Sequence, residues 1–332
     1  MNLITLQKKF NTHGKCIRHL EKARWGKKPT CPHCESKTVS RRKSRKHFYH
    51  CNKCNRDFTV LFGTIFESSK LTMPKWFMMI ALMLNARKGI SSMELHRHLR
   101  VTYKTAWYSA MRVRCAMIDE IDLLEGILEM DEAYIGGRPR KRNIPDNKAV
   151  LSNVTVKRGR GTKKVPVVGI VERDGKKRVV TEVAGQLTTK NMLALLKKYV
   201  NTEKSIMMTD DARFYNRFEN ELQHLIINHS KKKYVEGIVH TNTIEGFWSI
   251  VKNGIRGEYH VLSKKYLPFY LAEFAYKYNR RSPEQKQEAF QETIESAVSD
   301  DKCLVDYKPK GNVEEIAYGK KDGKTAPRET KS

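Results

Sequence analysis

Three acidic residues stand where carboxylates could work together: Asp131, Asp210 and Glu245. Residues 127–130 read as a strand ending at Asp131-Glu132. Residues 205–209 read as a second strand ending in Asp210-Asp211, and Glu245 opens a helical stretch. Three carboxylates converging at the edge of one sheet repel one another unless cations fill the gap. Two Mg2+ (or Mn2+) ions about 3.5–4 Å apart would meet that need. Such a pair activates water or a 3′-hydroxyl for in-line attack on a phosphodiester and stabilises the leaving oxygen. A single acid of this kind is more often a solvated surface charge. The joint placement at strand, strand and helix favours chemistry, but periodicity alone does not decide between the two.

The helix that would carry Glu245 has two faces. Ile244, Trp248, Val251 and Ile255 share one and would bury it, while Glu245, Ser249, Lys252 and Arg256 line a neighbouring polar stripe. Glu245 and Lys252 lie two turns apart, about 10 Å, which is too far for direct pairing. Each is free to reach its own target, the acid a metal and the lysine a DNA phosphate.

A second constellation lies near the N-terminus. Cys31-Pro-His-Cys34 and Cys51-Asn-Lys-Cys54 are separated by 16 residues. Each pair can present two thiolates to one ion, and two such knuckles close a four-sulfur site suited to one structural Zn2+. Four thiolates would also suit an iron–sulfur cluster, and His33, His47 and His50 are nearby competitors. The spacing favours a zinc ribbon held by Cys31, Cys34, Cys51 and Cys54. Cys16, Cys115 and Cys303 are scattered singletons, which fits free thiols rather than a disulfide framework.

The elements that must position these residues follow from periodicity. From Met73 to about Glu120 the pattern is helical, with Pro74 near a helix start and Trp76, Ile80 and Leu84 at spacing four. A helix with Leu95 and Leu99, a break at residues 100–102, and a helix with Lys104, Arg112 and Arg114 give the outline of a helix-turn-helix. An ordinary helical hairpin has the same outline. From residue 126 onward the expected order is a strand, two strands joined at Asp174-Gly175, a helix at 189–200, a strand, a helix near 213–222, a strand at 225–228 and the Glu245 helix. That order describes an α/β core. Residues 138–164 hold ten Lys or Arg and one acid, a loop suited to lying on phosphate. The chain turns polar past Ser282, and its last dozen or so residues read as disordered.

Bulk composition agrees. Sixty-four Lys and Arg against 36 Asp and Glu give a net charge of +28, which points to a nucleic-acid partner. The longest apolar stretch, residues 76–84, is far short of the roughly 20 residues that span a bilayer, so no membrane is expected. No signal-peptide core follows Met1, so the expected location is the cytoplasm, with the nucleoid.

Several blocks resemble one family over residues 15–285. They are Met130-Asp131-Glu132-Ala133-Tyr134-Ile135-Gly136-Gly137, Thr209-Asp210-Asp211-Ala212-Arg213-Phe214-Tyr215 and His240-Thr241-Asn242-Thr243-Ile244-Glu245-Gly246-Phe247-Trp248, with Gly254-Ile255-Arg256-Gly257-Glu258-Tyr259-His260 downstream. They are similar to the catalytic blocks of DDE transposases of bacterial insertion sequences that carry an N-terminal zinc ribbon, relatives of the eukaryotic Merlin elements. The resemblance implies a ribonuclease-H-like core, with Asp131, Asp210 and Glu245 as the metal-binding triad. Lys252 corresponds to the basic residue that holds element-end DNA. It also implies Mg2+-dependent cleavage and joining, with double-stranded DNA (terminal repeats and target) as partner and two or more copies on paired ends. The expected division is a zinc ribbon in 1–70, a helix-turn-helix-like segment in 71–122, a catalytic domain in 123–285 and a polar tail in 286–332. DNA contacts are expected from Lys252, Arg256, Arg138, Arg140, Lys141, Arg142 and Lys104. The alternative function is a catalytically silent relative acting as a DNA-binding regulator.

Overall fold

The computed structural model describes residues 2–119, 121–136, 164–227 and 240–299. They fall into two compact units. Residues 2–85, 92–117 and 282–299 make up one unit, and residues 86–91 with the described residues between 118 and 281 make up the other. Among the described residues no helix is long and apolar enough to cross a membrane.

The first unit opens with helices α1 (Leu3–Lys9) and α2 (His13–Trp25), the latter capped by the Thr12 hydroxyl. An antiparallel meander follows, β1 (Val39–Arg41), β2 (Tyr49–Cys51) and β3 (Arg56–Phe58). Helix α3 (Met73–Asn85) then buries Trp76, Phe77, Ile80 and Met83. Helices α4 (Ser92–Leu99) and α5 (Tyr103–Ala116) are joined by a three-residue turn. In that turn Arg100 adopts φ +47°, and the Thr102 hydroxyl accepts from the Thr105 amide at 3.2 Å to start α5. The helix-turn-helix outline is present, but its charge is distributed otherwise than expected. Lys104 is exposed, whereas Arg112 and Arg114 are buried. The Arg112 guanidinium donates to the Ile65 and Glu67 carbonyls at 2.9 and 2.7 Å, a structural task that removes it from solvent.

The second unit is a five-stranded sheet in the order β6-β5-β4-β7-β8. Its strands are β4 (Leu124–Ile135), β5 (Val165–Glu172), β6 (Val179–Val183), β7 (Val200–Asp210) and β8 (Gln223–Ile227). The first three form an antiparallel meander, and β7 and β8 add to β4 in parallel. Helix α6 (Thr189–Tyr199) covers one face, where Leu128, Met130, Val168, Ile170 and Met207 meet Met192 and Leu196. Helices α7 (Asn242–Gly254) and α8 (Leu267–Asn279) cover the other. There Ala133, Ile135 and Val167 meet Ile244, Trp248, Leu271 and Phe274.

The chain then returns to the first unit. The polar tail expected from residue 286 begins as a helix, α9 (Pro283–Val298). Ser282 and Gln285 form a capping box, and Pro283 occupies the first turn. One stripe, Phe290, Ile294, Ala297 and Val298, is buried. Phe77 packs with Phe10 at 4.8 Å between ring centroids and with Phe290 at 5.8 Å. A narrow apolar stripe inside a polar composition is enough to bury a helix.

Two further expectations need correction. Strand β4 does not stop at Asp131. Its ladder with β5 continues to the pair Ile135–Val165, so Asp131 sits inside the strand opposite Gly169. The segment near 213–222 is two 3-10 turns, Arg213–Tyr215 and Phe218–Asn220, rather than an α-helix. Phe214, Tyr215 and Phe218 are all buried in the core on the α6 side, their rings in edge contact with one another.

Candidate active site and metal centre

Strand parity puts the acids on one face. In β4, Leu128 and Met130 point to the α6 side, so Glu129, Asp131 and Ala133 share the α7 side. In β7, Met207 faces α6, which sends Met208 and Asp210 to the α7 side. The last paired rung of the parallel ladder is Glu129–Met208. Two residues further along the same register, Asp131 comes beside Asp210, the final residue of β7. Asp131 is half-buried and its carboxyl is pushed up to about 7. Burial is the main cause, followed by the charge of Glu132 and then that of Asp210, while Lys252 pulls the other way. Asp211, by contrast, is exposed.

Helix α7 lies directly over this place. Gly169, opposite Asp131 in β5, has no side chain to hold it off. A Cβ there would sit 2.7 Å from Trp248 and 3.0 Å from Ile244. The close approach brings Lys252 within electrostatic reach of Asp131. Glu245 is exposed on the first turn of α7, where its carboxylate accepts from the Thr241 hydroxyl at 3.2 Å. Among the described residues, the four cysteines are the one group of three or more candidate ligands whose atoms lie within 4.8 Å of one another. Asp131 and Asp210 end side by side on adjacent strands, and Glu245 stands on the helix that covers this face of the sheet.

Arg256 is exposed in a π-helical turn, Ile255–Tyr259, that continues α7. The Tyr259 hydroxyl anchors this turn by donating to the buried Glu273 carboxylate at 3.1 Å. Arg138, Arg140, Lys141 and Arg142 lie outside the described residues.

In the first unit the two cysteine pairs meet. The Cys31 and Cys54 sulfurs are 3.7 Å apart, and those of Cys34 and Cys51 are 3.6 Å apart. Four sulfurs about 2.3 Å from a central zinc would be separated by about 3.8 Å, so the spacing is that of a tetrahedron's edges. The two knuckles are built alike. The Glu35 amide donates to the Cys31 carbonyl at 2.8 Å and the Asn55 amide to the Cys51 carbonyl at 2.9 Å, each residue with a left-handed φ. The Cys51 thiol is lowered to about 6, chiefly by a hydrogen bond from the Cys54 backbone. That of Cys54 is pushed up to about 12 by burial and the neighbouring thiols. Two of the nearby histidines have other partners, His50 with Asp57 at 2.7 Å and His33 with the Phe62 ring, tilted against it at 4.3 Å between centroids.

Known proteins resemble both regions. Residues 123–279 match the ISXO2-like transposase domain, and residues 11–57 match the transposase zinc-ribbon domain. The chain is also 30% identical over 276 residues to a protein in transposable element ISH50 of Halobacterium salinarum, spanning 80% of this chain and 91% of that relative. This chain belongs to the ISXO2-like transposases.

The transposase zinc ribbon thus holds all four cysteines, and they fit a structural zinc ion. The matched transposase domain spans the sheet together with α6, α7 and α8. Transposase activity on DNA is the function that goes with these domains. Around the acids lie groups that the sequence pattern does not single out. Glu132, on the opposite face of β4 from Asp131, accepts from the Tyr215 hydroxyl at 3.2 Å. Burial, and then the charges of Glu132, Asp131 and Asp210, keep that phenol protonated. Glu129 is fully buried beneath the start of α7. Strand parity places Glu129 on the same face as Asp131, and only the folded sheet, covered on both faces, shows that this side is buried.

Proposed function

We propose that this transposase cleaves and joins DNA at the ends of its element through Asp131, Asp210 and Glu245, in a ribonuclease-H-like unit working with two Mg2+ (or Mn2+) ions. The observation that carries the reading is the register of β4 against β7, which sets Asp131 beside Asp210 under the helix that bears Glu245. Support for the ribonuclease-H-like core comes from the antiparallel β4-β5-β6 meander extended by parallel β7 and β8. The donor set fits hard divalent cations, because these are carboxylate oxygens whose burial and mutual repulsion hold Asp131 near pH 7 until a cation relieves both. Ions bound there supply an activated nucleophile and stabilise the leaving oxygen in attack on a phosphodiester.

The residues divide the work. Asp131 and Asp210 hold the metal side from adjacent strands, and Glu245 approaches from the helix. Lys252 and Arg256, further along the same structure, neutralise phosphates of the element end, joined by Arg138, Arg140, Lys141 and Arg142. The zinc ribbon and the α4–α5 pair, with Lys104 at the exposed start of α5, read the terminal repeats. Two or more copies assemble on paired ends before target DNA is joined, in the cytoplasm with the nucleoid DNA.

The test is incubation with Mg2+ and a labelled fragment carrying the DNA that flanks the gene. Nicks at defined ends plus joined products are expected, and both should be lost in Asp210→Asn, in Glu245→Gln and in EDTA. Specific binding without cleavage would replace this reading with a regulator. Cleavage without joined product would replace it with a nuclease.

A further inference from the structure

Helix α7 begins in an unusual way. Thr241 holds its N-cap position, yet its side chain makes no capping bond to the helix backbone. Its hydroxyl is directed to Glu245 instead. The free amides of a first helical turn need an acceptor, and here it comes from another element. Glu129, fully buried in β4, accepts from the Ile244 amide at 2.8 Å. The same carboxylate pairs with the Arg173 Nε and lies 3.4 Å from the His240 ring. Arg173 leaves the end of β5 with its amide bonded to the Ile127 carbonyl at 3.0 Å, and its guanidinium bonds both the ring and the carbonyl of His240. The chain entering α7 and the helix's first turn are thus tied to β4 and to the residue that follows β5.

Glu129 is two residues before Asp131 on the same face of the same strand. A carboxylate there facing solvent would be ordinary. One that is fully buried needs partners on every side, and Glu129 finds them only when α7 is seated. We infer that Glu129 is a positioning residue. Its carboxylate caps α7 in place of Thr241, frees the Thr241 hydroxyl to orient Glu245, and with Arg173 fixes the distance between the Asp131 strand and the Glu245 helix. Glu129 itself touches neither metal nor DNA. The inference rests on the reading of Glu245 as a metal ligand, and its test separates the two.

The full chain is compared with Glu129→Ala, Glu129→Gln, Glu129→Asp and Glu245→Gln. Hydrogen exchange is followed in peptides spanning residues 241–248, and Mn2+ affinity is read from the electron paramagnetic resonance signal of the free ion. In Glu129→Ala, exchange in those peptides accelerates about tenfold while peptides of β5 and β6 keep their rates. Mn2+ affinity falls by about tenfold or more. Glu129→Gln offers one acceptor oxygen to two donors, the Ile244 amide and Arg173 Nε, and falls between the parent and the alanine variant in both measurements. Glu129→Asp withdraws the carboxylate by one methylene and behaves like the alanine variant. It carries the comparison if Glu129→Ala does not fold.

Parental exchange at 241–248 in the alanine and aspartate variants would overturn the inference. So would a lowered melting temperature with parental Mn2+ affinity, provided Glu245→Gln loses that affinity. If Glu245→Gln binds Mn2+ as the parent does, the assignment of Glu245 fails, and the exchange result alone upholds or overturns the cap.

Discussion

At the scale of single residues, the acids and the cations each divide into those that face the chemistry and those that hold the fold. Asp131 is half-buried beside Glu132 and Asp210, and its carboxyl is pushed up to about 7. In the unfolded chain it returns to about 4. Without metal, the native state therefore keeps a proton between about pH 4 and 7 that the unfolded state has released, and stability falls as pH rises through that window. Asp131→Asn removes the liability. In EDTA its melting temperature should exceed the parent's at pH 8 and approach it at pH 5, while cleavage is abolished. The gain has a ceiling of about 4 kcal/mol, because each pH unit of that window contributes at most about 1.4 kcal/mol. Equal pH slopes for parent and variant would refute this account. The basic residues divide in the same way. Lys104→Ala should leave the melting temperature unchanged, weaken binding to terminal-repeat DNA, and reduce the slope of log affinity against log salt by about 1. Arg112→Ala should instead lower the melting temperature, because the Ile65 and Glu67 carbonyls lose their donor. The opposite pattern in melts and salt titrations would reverse the two roles.

At the scale of elements, the close seat of α7 on the sheet is set by a missing side chain. In Gly169→Ala the new Cβ would sit 2.7 Å from the Trp248 ring, well inside contact distance, so the helix must move outward. That displacement separates Glu245 and Lys252 from Asp131, and a shift of about 1 Å at such a site can cost about 100-fold in rate. We expect cleavage of an element-end fragment to fall by about that factor, with zinc content unchanged. Parental cleavage would mean the ring simply rotates away. The same interface separates what is legible in the sequence from what is not. The cysteine spacing is sufficient, because two knuckles and their ion are a local device. The strands and the α7 face follow from periodicity. The run Leu128-Glu129-Met130-Asp131 is harder, because alternation of apolar and acidic residues describes a strand with one wet face. Here both faces are covered, and the acidic side is the one under α7. Nothing local distinguishes a buried Glu129 from a solvated one, since its partners Arg173 and Ile244 are 44 and 115 residues away.

At the scale of the whole molecule, the order of the chain is not the order of its units. The first unit is completed by α9, which follows the catalytic unit in sequence. That helix reads as a polar tail because half of its 16 residues are charged or amide-bearing, and because its apolar stripe buries against helices from much earlier in the chain. The Ser282–Gln285 capping box is the sequence signal of its start. A fragment ending at residue 117 therefore lacks part of its own core, and the rings of Phe10 and Phe77 lose Phe290. Such a fragment should expose apolar surface, aggregate, and melt well below the same fragment supplemented with a peptide of residues 282–299. In the intact chain Phe290→Ala should destabilise the first unit by about 3–5 kcal/mol, the usual cost of removing a buried aromatic ring. Specific binding to the terminal repeats should be lost at a lower temperature, while the parent's hydrogen-exchange protection persists in β4, β5 and β7. If the truncated fragment instead melts as high as the supplemented one, α9 is an appendage, and an N-terminal DNA-reading module would fold without the rest of the transposase.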